Sequence, residues 1–365
     1  MTVHFYFARK FLWIFLGIAM VFFVLTVLVD MMEQLRRYDV EAVGFEKVVG
    51  LTLLRTPESL YQLMPLIIIL ATIALFISLS RSSELVVVRA AGRSGIVSVL
   101  SPATMALVIG LLSVSTLNPI VAATSVQYET QSDMLRSGGR SALSLSKEGI
   151  WLRQGGEEGH AVIHAGSANT DASVFHEITI VTYAHEGGPQ KRIEANSARL
   201  VDGGWELSNV RTWNLNAGLI EGAKPLSEAS VTFPSSLTAD RIRERFGTPS
   251  SISIWKLPAF IAELNESGFS ARRHQVWLQM ELAQPLFLMA MVLVASAFTM
   301  RHTRFGNTGV AVLTSVLIGF SLHFVRNFAQ ILGENGQIPV LLAAWAPPTA
   351  SVLLALGLLL HMEDG

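Results

Sequence analysis

Six stretches of this sequence carry no charged side chain: residues 11–29, 59–80, 94–128, 282–300, 305–325 and 335–362. A helix of about 20 apolar residues, rising 1.5 Å per residue, crosses a hydrocarbon core about 30 Å thick. Inside that core the backbone finds no water, so each crossing segment satisfies its own hydrogen bonds, as a helix does. The pattern predicts an integral membrane α-helical protein with six transmembrane helices, three at each end. The third and sixth stretches are long, but their extra length is polar or proline-rich (Pro102, Pro119, Pro347, Pro348), so each supplies one span. The first stretch follows Arg9 and Lys10, as a signal peptide would. It is too long for one, and residues 29–33 (Val-Asp-Met-Met-Glu) offer no small-residue cleavage site, so it reads as a retained anchor.

Composition agrees. Hydrophobic residues make up 51% of the chain and charged residues 15%, against about 25% in soluble domains. That excludes disorder, which needs low hydrophobicity and high charge. A net charge of −1 argues against a nucleic-acid binder. With no cysteine, a disulfide framework or cysteine-ligated metal is impossible.

The middle, residues 131–245, holds nearly half of the charged residues and four Gly-Gly pairs, at 138–139, 155–156, 187–188 and 203–204. Between them lie runs with strand character at 149–152, 161–164, 177–183 and 205–210. Short strands separated by turns suggest a sandwich or jelly roll. Trp151, Ile163, Phe175, Ile178, Trp205 and Trp213 are candidates for its inner face. Residues 253–270 read as a linker helix into the fourth span. The chain thus divides into residues 1–128 (spans one to three), 131–245 (a β-jellyroll domain) and 253–365 (the linker helix and spans four to six).

Lysine and arginine in short loops set orientation. With the N-terminus inside, the inner loops hold Arg9, Lys10, Arg81, Arg89, Arg93, Arg301 and Arg304. The outer ones hold Arg36, Arg37, Lys47 and Arg55. Seven against four favours both termini in the cytoplasm and the β domain outside, in the periplasm of a Gram-negative cell.

The sequence has no GxxxxGK[ST] loop for nucleotide phosphates, no GxSxG and no HExxH. His160 and His164 are four apart, which on a strand does not make a ligand pair. No catalytic residue, cofactor or metal site is expected. Between spans two and three, however, residues 81–95 read RSSELVVVRAAGRSG. Ser82 or Ser83 can cap a short helix with Glu84 in its first turn and Gly92 ending it. Such a helix is either an interfacial connector or an insert for a partner's groove.

The run Ser-Glu-Leu-Val-Val-Val-Arg-Ala-Ala-Gly at 83–92 resembles the coupling-helix signature of the YjgP/YjgQ family, the LptF/LptG permeases of the lipopolysaccharide export ABC transporter. Asn118-Pro119, residues 205–209 (Trp-Glu-Leu-Ser-Asn), Ser267-Gly268 and Gln284-Pro285-Leu286 are also similar to the family, and the order of parts agrees over the full length. Residues 83–87 and Gln34-Leu35-Arg36-Arg37 are nearer the LptG branch than the LptF branch.

The resemblance implies a heterodimer with an LptF-like permease, an LptB-like ATPase dimer beneath it, and LptC and LptA as further partners. It implies lipopolysaccharide as cargo, taken from the outer leaflet of the bacterial inner membrane and passed through the β domain. ATP hydrolysis then belongs to another chain. Glu84, Leu85, Val88, Arg89 and Gly92 are the expected ATPase-coupling residues, with Leu85 and Val88 filling the partner groove. Arg36 and Arg37 are the expected phosphate contacts, since an arginine fork suits phosphate oxygens; anchoring of a helix end is the plainer role. Asp30 and Arg326 complete the candidate substrate site. Family members tend to carry the opposite signs there, so either Arg326 supplies the phosphate contact or the two form a pair at the lateral opening. An LptF-type subunit and a membrane-anchored periplasmic scaffold are the alternatives. An ion-coupled transporter is disfavoured, since Asp30 is terminal and Glu281 is read as the start of the fourth span.

Overall fold

The computed structural model describes residues 2–38, 44–92, 94–137, 142–146, 149–156, 159–168, 174–184, 188–201, 204–215, 225–235, 248–266, 270–300 and 308–363. The Gly138-Gly139 pair, Arg93, Arg301 and Arg304 lie outside the described residues. Two compact units result: residues 1–128, 253–255 and 272–365, and residues 129–252 and 256–271.

The first unit is helical. Its elements are α1 (Thr2–Arg37), α2 (Phe45–Gln62), α3 (Met64–Arg81), α4 (Glu84–Ala90), α5 (Gly95–Leu112), α6 (Asn118–Ser137), α8 (Arg272–Thr299), α9 (Thr308–Glu334) and α10 (Val340–Glu363), with α7 in the second unit. Six helical segments are long and apolar enough to cross a membrane: Val3–Arg37, Met64–Arg81, Gly95–Ser132, Arg272–Thr299, Gly309–Glu334 and Val340–His361. Each overlaps one of the six charge-free stretches. Helix α8 lies at the centre, against α3, α5, α9 and α10. It is buried along most of its length and on every side, as a core span should be. Helices α1 and α9 instead expose most of their apolar surface.

Two helices approach closely because a glycine lets them. A Cβ built on Gly110 of α5 would lie 2.5 Å from the Cα of Pro285 on α8. Small residues at helix crossings permit such backbone approach in membranes. Between α5 and α6 the chain makes a π-helical turn, Ser113–Leu117. Pro119 follows and has no N–H to give the Ser115 carbonyl four residues back. The indole N–H of Trp255 donates to that carbonyl instead, at 3.2 Å. Beside it the Ile254 N–H donates to Asn118 Oδ1 at 2.9 Å. A proline-made gap in one helix thus anchors residues 253–255 of the same unit.

The second unit contains β1 (Ala142–Ser146), β2 (Gly149–Gly156), β3 (Gly159–Ala168), β4 (Val174–Ala184), β5 (Pro189–Val201), β6 (Gly204–Asn214), β7 (Leu226–Pro234) and the short helix α7 (Leu257–Glu266). All neighbours are antiparallel and the sheet order is the sequence order. The inserted β domain is present, built as a meander of consecutive strands. The meander is curled. Gln154 of β2 donates to the Pro234 carbonyl at the end of β7 (2.9 Å) and accepts from the Ser235 hydroxyl (2.7 Å). Those strands are five places apart, about 24 Å in a flat sheet.

Inside the curl, Ile163, Phe175, Ile178, Ile180, Trp205 and Leu207 are buried with Leu264 of α7. Trp205 meets Phe175 edge to face, with centroids 5.0 Å apart. Trp151 and Trp213 correct the sequence expectation. Strand alternation points both to the opposite face: Trp151 pairs with His164, whose neighbours Ile163 and Ala165 point inward, and Trp213 pairs with exposed Arg192.

Gly110→Ala is expected to force α5 away from α8, at a cost of about 1–3 kcal/mol, the usual penalty for overpacking. A lower thermal unfolding midpoint of the detergent-solubilised protein would show it, while Gly50→Ala, where a Cβ meets nothing within 4 Å, should leave the midpoint in place.

Candidate functional site

Three polar clusters stand out in the helical unit. The first joins α1 to α4. Lys10 Nζ donates to Glu84 Oε1 at 3.0 Å, and the Ser82 hydroxyl donates to the same oxygen at 2.8 Å. Burial opposes the charge on Glu84, but bonds from Ser82, Lys10 and Tyr6 outweigh it and hold its carboxyl below the usual range. The contact therefore persists above the ordinary carboxylate pKa and is lost as pH falls through the lowered value.

Helix α4 begins at Glu84 after Ser83, which sits at φ +60°, and Gly92 at φ +76° lies just beyond the helix end. The Ser82 side chain bonds Ser78 O and Glu84. Leu85 is 7% exposed and joins the helical core, against which Val88 also rests. Val86 (54%) and Val87 (67%) are the exposed pair. Leu85 and Val88, the residues expected to fill a partner groove, thus pack against their own chain, and Val86 and Val87 face outward. The Arg89 side chain lies outside the described residues.

The second cluster gathers at the far end of α1. Asp30 accepts from the Ser59 hydroxyl (3.1 Å) and lies 3.9 Å from Arg55 Nε. Arg55 Nη1 reaches Glu33 (3.2 Å) and the Tyr128 hydroxyl (3.3 Å). Arg37 bonds the same two groups, at 2.8 and 3.3 Å, and Gln34 donates to Tyr128 at 3.0 Å. Arg36 is exposed. Arg37, Asp30 and three helices are thus tied together, while Arg36 faces outward.

The third cluster lies deeper. Asn118 and Tyr128 share α6 and are ten residues apart, about 15 Å along the helix. At the Asn118 level, the Tyr61 hydroxyl donates to Glu281, which also bonds Asn118. Arg326 lies close enough to Glu281 to attract it, donates to the Met280 carbonyl at 3.3 Å, and stands 4.8 Å from the Phe287 ring centroid. Glu281 is 2% and Arg326 8% exposed. Ions so removed from water persist only with such partners.

Two sequence readings change here. Asp30 and Arg326 each have other partners within the chain, Arg55 with Ser59 and Glu281 with Phe287. And Glu281 does not start its span: α8 begins at Arg272, which places Glu281 more than two turns inside. Arg55, Tyr128, Tyr61 and Glu281 were not singled out as site residues, and Asn118 was noted only as part of a motif. A carboxylate and a tyrosine hydroxyl at the edges of apolar runs were the available signal. Among the described residues no group of three metal-ligating side chains forms.

The described parts define a multi-pass membrane protein of permease type, with six spans in two sets of three, an inserted β domain, and a short outward-facing helix between spans two and three. Residues 5–361 match the family described as "Lipopolysaccharide export system permease LptF/LptG", and the chain belongs to that family. It is similar to the lipopolysaccharide export system permease protein LptG of Haemophilus influenzae, at 24% identity over 355 residues covering 93% of each chain. It is also similar to LptG of Escherichia coli K12, at 26% over 371 residues covering 95% of this chain and 96% of that one.

Glu281→Leu should strand Arg326 in the interior and cost about 3–5 kcal/mol, the range for breaking a buried pair. The double variant Glu281→Leu/Arg326→Leu should recover much of that loss. Thermal unfolding of the four-member cycle measures the coupling; additive losses would show that the two groups act independently.

Proposed function

We propose that this lipopolysaccharide export permease is the LptG-type subunit, paired with an LptF-type subunit and driven by a separate LptB-like ATPase dimer. The relatives named LptG support the branch. The observation that carries the coupling role is α4, whose Val86 and Val87 face outward between two spans while Lys10 and Glu84 fix the helix to α1. A helix held on one side and apolar on the other suits a groove. Movement of the ATPase then reaches α1 directly, through Lys10, and the span bundle through Leu85 and Val88.

Orientation follows from loop arginines and lysines: α4 and both termini in the cytoplasm, the Asp30–Tyr128 cluster and the β domain on the periplasmic side of the inner membrane. Lipopolysaccharide then enters from the outer leaflet beside the end of α1. Arg36 is the freer phosphate contact, and Arg37 is held by Glu33 and Tyr128. Asp30 acts by positioning Arg55, and Arg326 by fixing the deeper cluster. The exposed apolar faces of α1 and α9 suit an LptF-type partner or the LptC helix, and the β domain passes cargo on toward LptA.

Val86→Asp/Val87→Asp should lower co-purification of the ATPase by roughly tenfold or more, the scale of 1.4 kcal/mol, while the purified permease keeps its unfolding midpoint. Glu84→Ala should weaken the same co-purification or release ATP hydrolysis from export. Full recovery of ATPase and normal export with both changes would overturn the coupling role. Separately, Arg36→Glu should reduce photocrosslinking of lipopolysaccharide to residues near the end of α1; unchanged yield would leave Arg36 as a simple helix-end anchor.

A further inference from the structure

The convex face of the β sheet carries a pattern that the apolar interior does not explain. Cross-strand partners share a face, so register fixes what stands together. One row runs Trp151, His164, Thr179, Glu194 and Arg211, from β2 to β6. The next holds Val162, Val181, Arg192 and Trp213. Beyond it stand His160 and Tyr183.

The aromatic groups sit in two islands. On one side, Trp151 lies against His164 with ring centroids 4.4 Å apart, and His160 stacks on Tyr183 at 4.9 Å with only 6° between planes. On the other, the Arg192 and Arg211 guanidiniums each stand 5.9 Å from the Trp213 ring. Glu194 bridges both arginines and fixes them beside the indole. Two arginines against one carboxylate leave this island net positive, and both arginine side chains are more than half exposed. Trp151 is 40% exposed. From β2 to β6 the platform spans about 19 Å.

Rows of surface aromatics on a sheet whose core lies on the other face have no packing role to fill. Flat rings accept the apolar C–H faces of sugar rings, and arginine forks accept phosphate or carboxylate oxygens. We propose that this convex face binds the anionic saccharide portion of lipopolysaccharide. Sugars stack on the Trp151 and Tyr183 side, and a phosphate or carboxylate is held between Arg192 and Arg211. The proposal rests on the exporter reading above and gives the polar part of the cargo its own surface, apart from the apolar interior of the domain.

The test uses the full-length protein in its assembled complex, in nanodiscs. The first probe is deacylated lipopolysaccharide, a phosphorylated oligosaccharide without acyl chains, followed by saturation-transfer NMR. Saturation should reach sugar C–H protons. Arg192→Gln/Arg211→Gln should weaken binding roughly tenfold, as for lost charge-assisted hydrogen bonds, and phosphatase treatment of the probe should do the same. Trp151→Ala should reduce transfer without changing the phosphate dependence. No transfer with the wild type, or transfer unaffected by the arginine variant, overturns the proposal.

The second measurement is ATP-driven release of lipopolysaccharide with full or truncated sugars. The arginine variant should slow release of the full form several-fold and leave the truncated form unchanged. Equal effects on both, or on neither, also overturn the proposal, and capture of a periplasmic protein by this face in place of sugar would assign it to a protein partner. Failure of the wild-type complex to release either form would instead overturn the exporter reading.

Discussion

A carboxylate buried among apolar helices has to be answered, and the helical unit is arranged around the answer to Glu281. Its partners come from both halves of the chain: Tyr61 at the end of α2 and Asn118 at the start of α6 from the first, Arg326 on α9 from the second. Dispersion and close approach hold membrane helices together without a strong sense of register. A carboxyl hydrogen-bonded to Tyr61 and Asn118 and attracted to Arg326 supplies that sense, because a slip of α8 by one residue breaks those contacts. Asn118 also receives the Ile254 N–H, so the group that satisfies Glu281 helps to fix where the chain re-enters the bundle.

The two clusters around Tyr128 and Glu281 divide the work of that end of the helical bundle. The deeper one is nearly dry and joins the two halves. The shallower one shares Tyr128 among Gln34, Arg37 and Arg55 and ties α1 to α2 and α6. Helix α1 is thus held by charge near both ends, by Lys10 on Glu84 and by Asp30 and Glu33 on Arg55, while much of its middle presents apolar side chains outward. A lever of that kind is fixed at its bearings and otherwise in contact with lipid or partner.

The spans were legible because a charge-free run of that length has one physical solution in a bilayer. Element ends were less so. Helix α2 carries Glu46, Lys47, Arg55 and Glu58 and reads as loop in the sequence, because its apolar face serves another helix and its charges serve a cluster. Helix α8 starts before its apolar run because Arg272 bonds the Gly333 and Ile338 carbonyls, and polar partners on other helices cannot be read from one segment. Strand β5 is rich in charge and small residues, and β7 is an exposed edge, so neither shows apolar alternation. On α4 the residue types were legible but their direction was not: five apolar residues in seven leave the buried side undecided until Leu85 meets the core. The same holds for Trp151 and Trp213, whose face depends on register with their partners.

Gln154 helps to close the curled sheet. It reaches the end of β7 and Ser235 with two hydrogen bonds, and among the described residues no backbone ladder joins those strands. A barrel sealed by a ladder has no boundary, so whatever passes through it has to be threaded from an end. A roll with a seam has two lips. Parting those lips costs side-chain hydrogen bonds and leaves every strand pairing of the sheet in place.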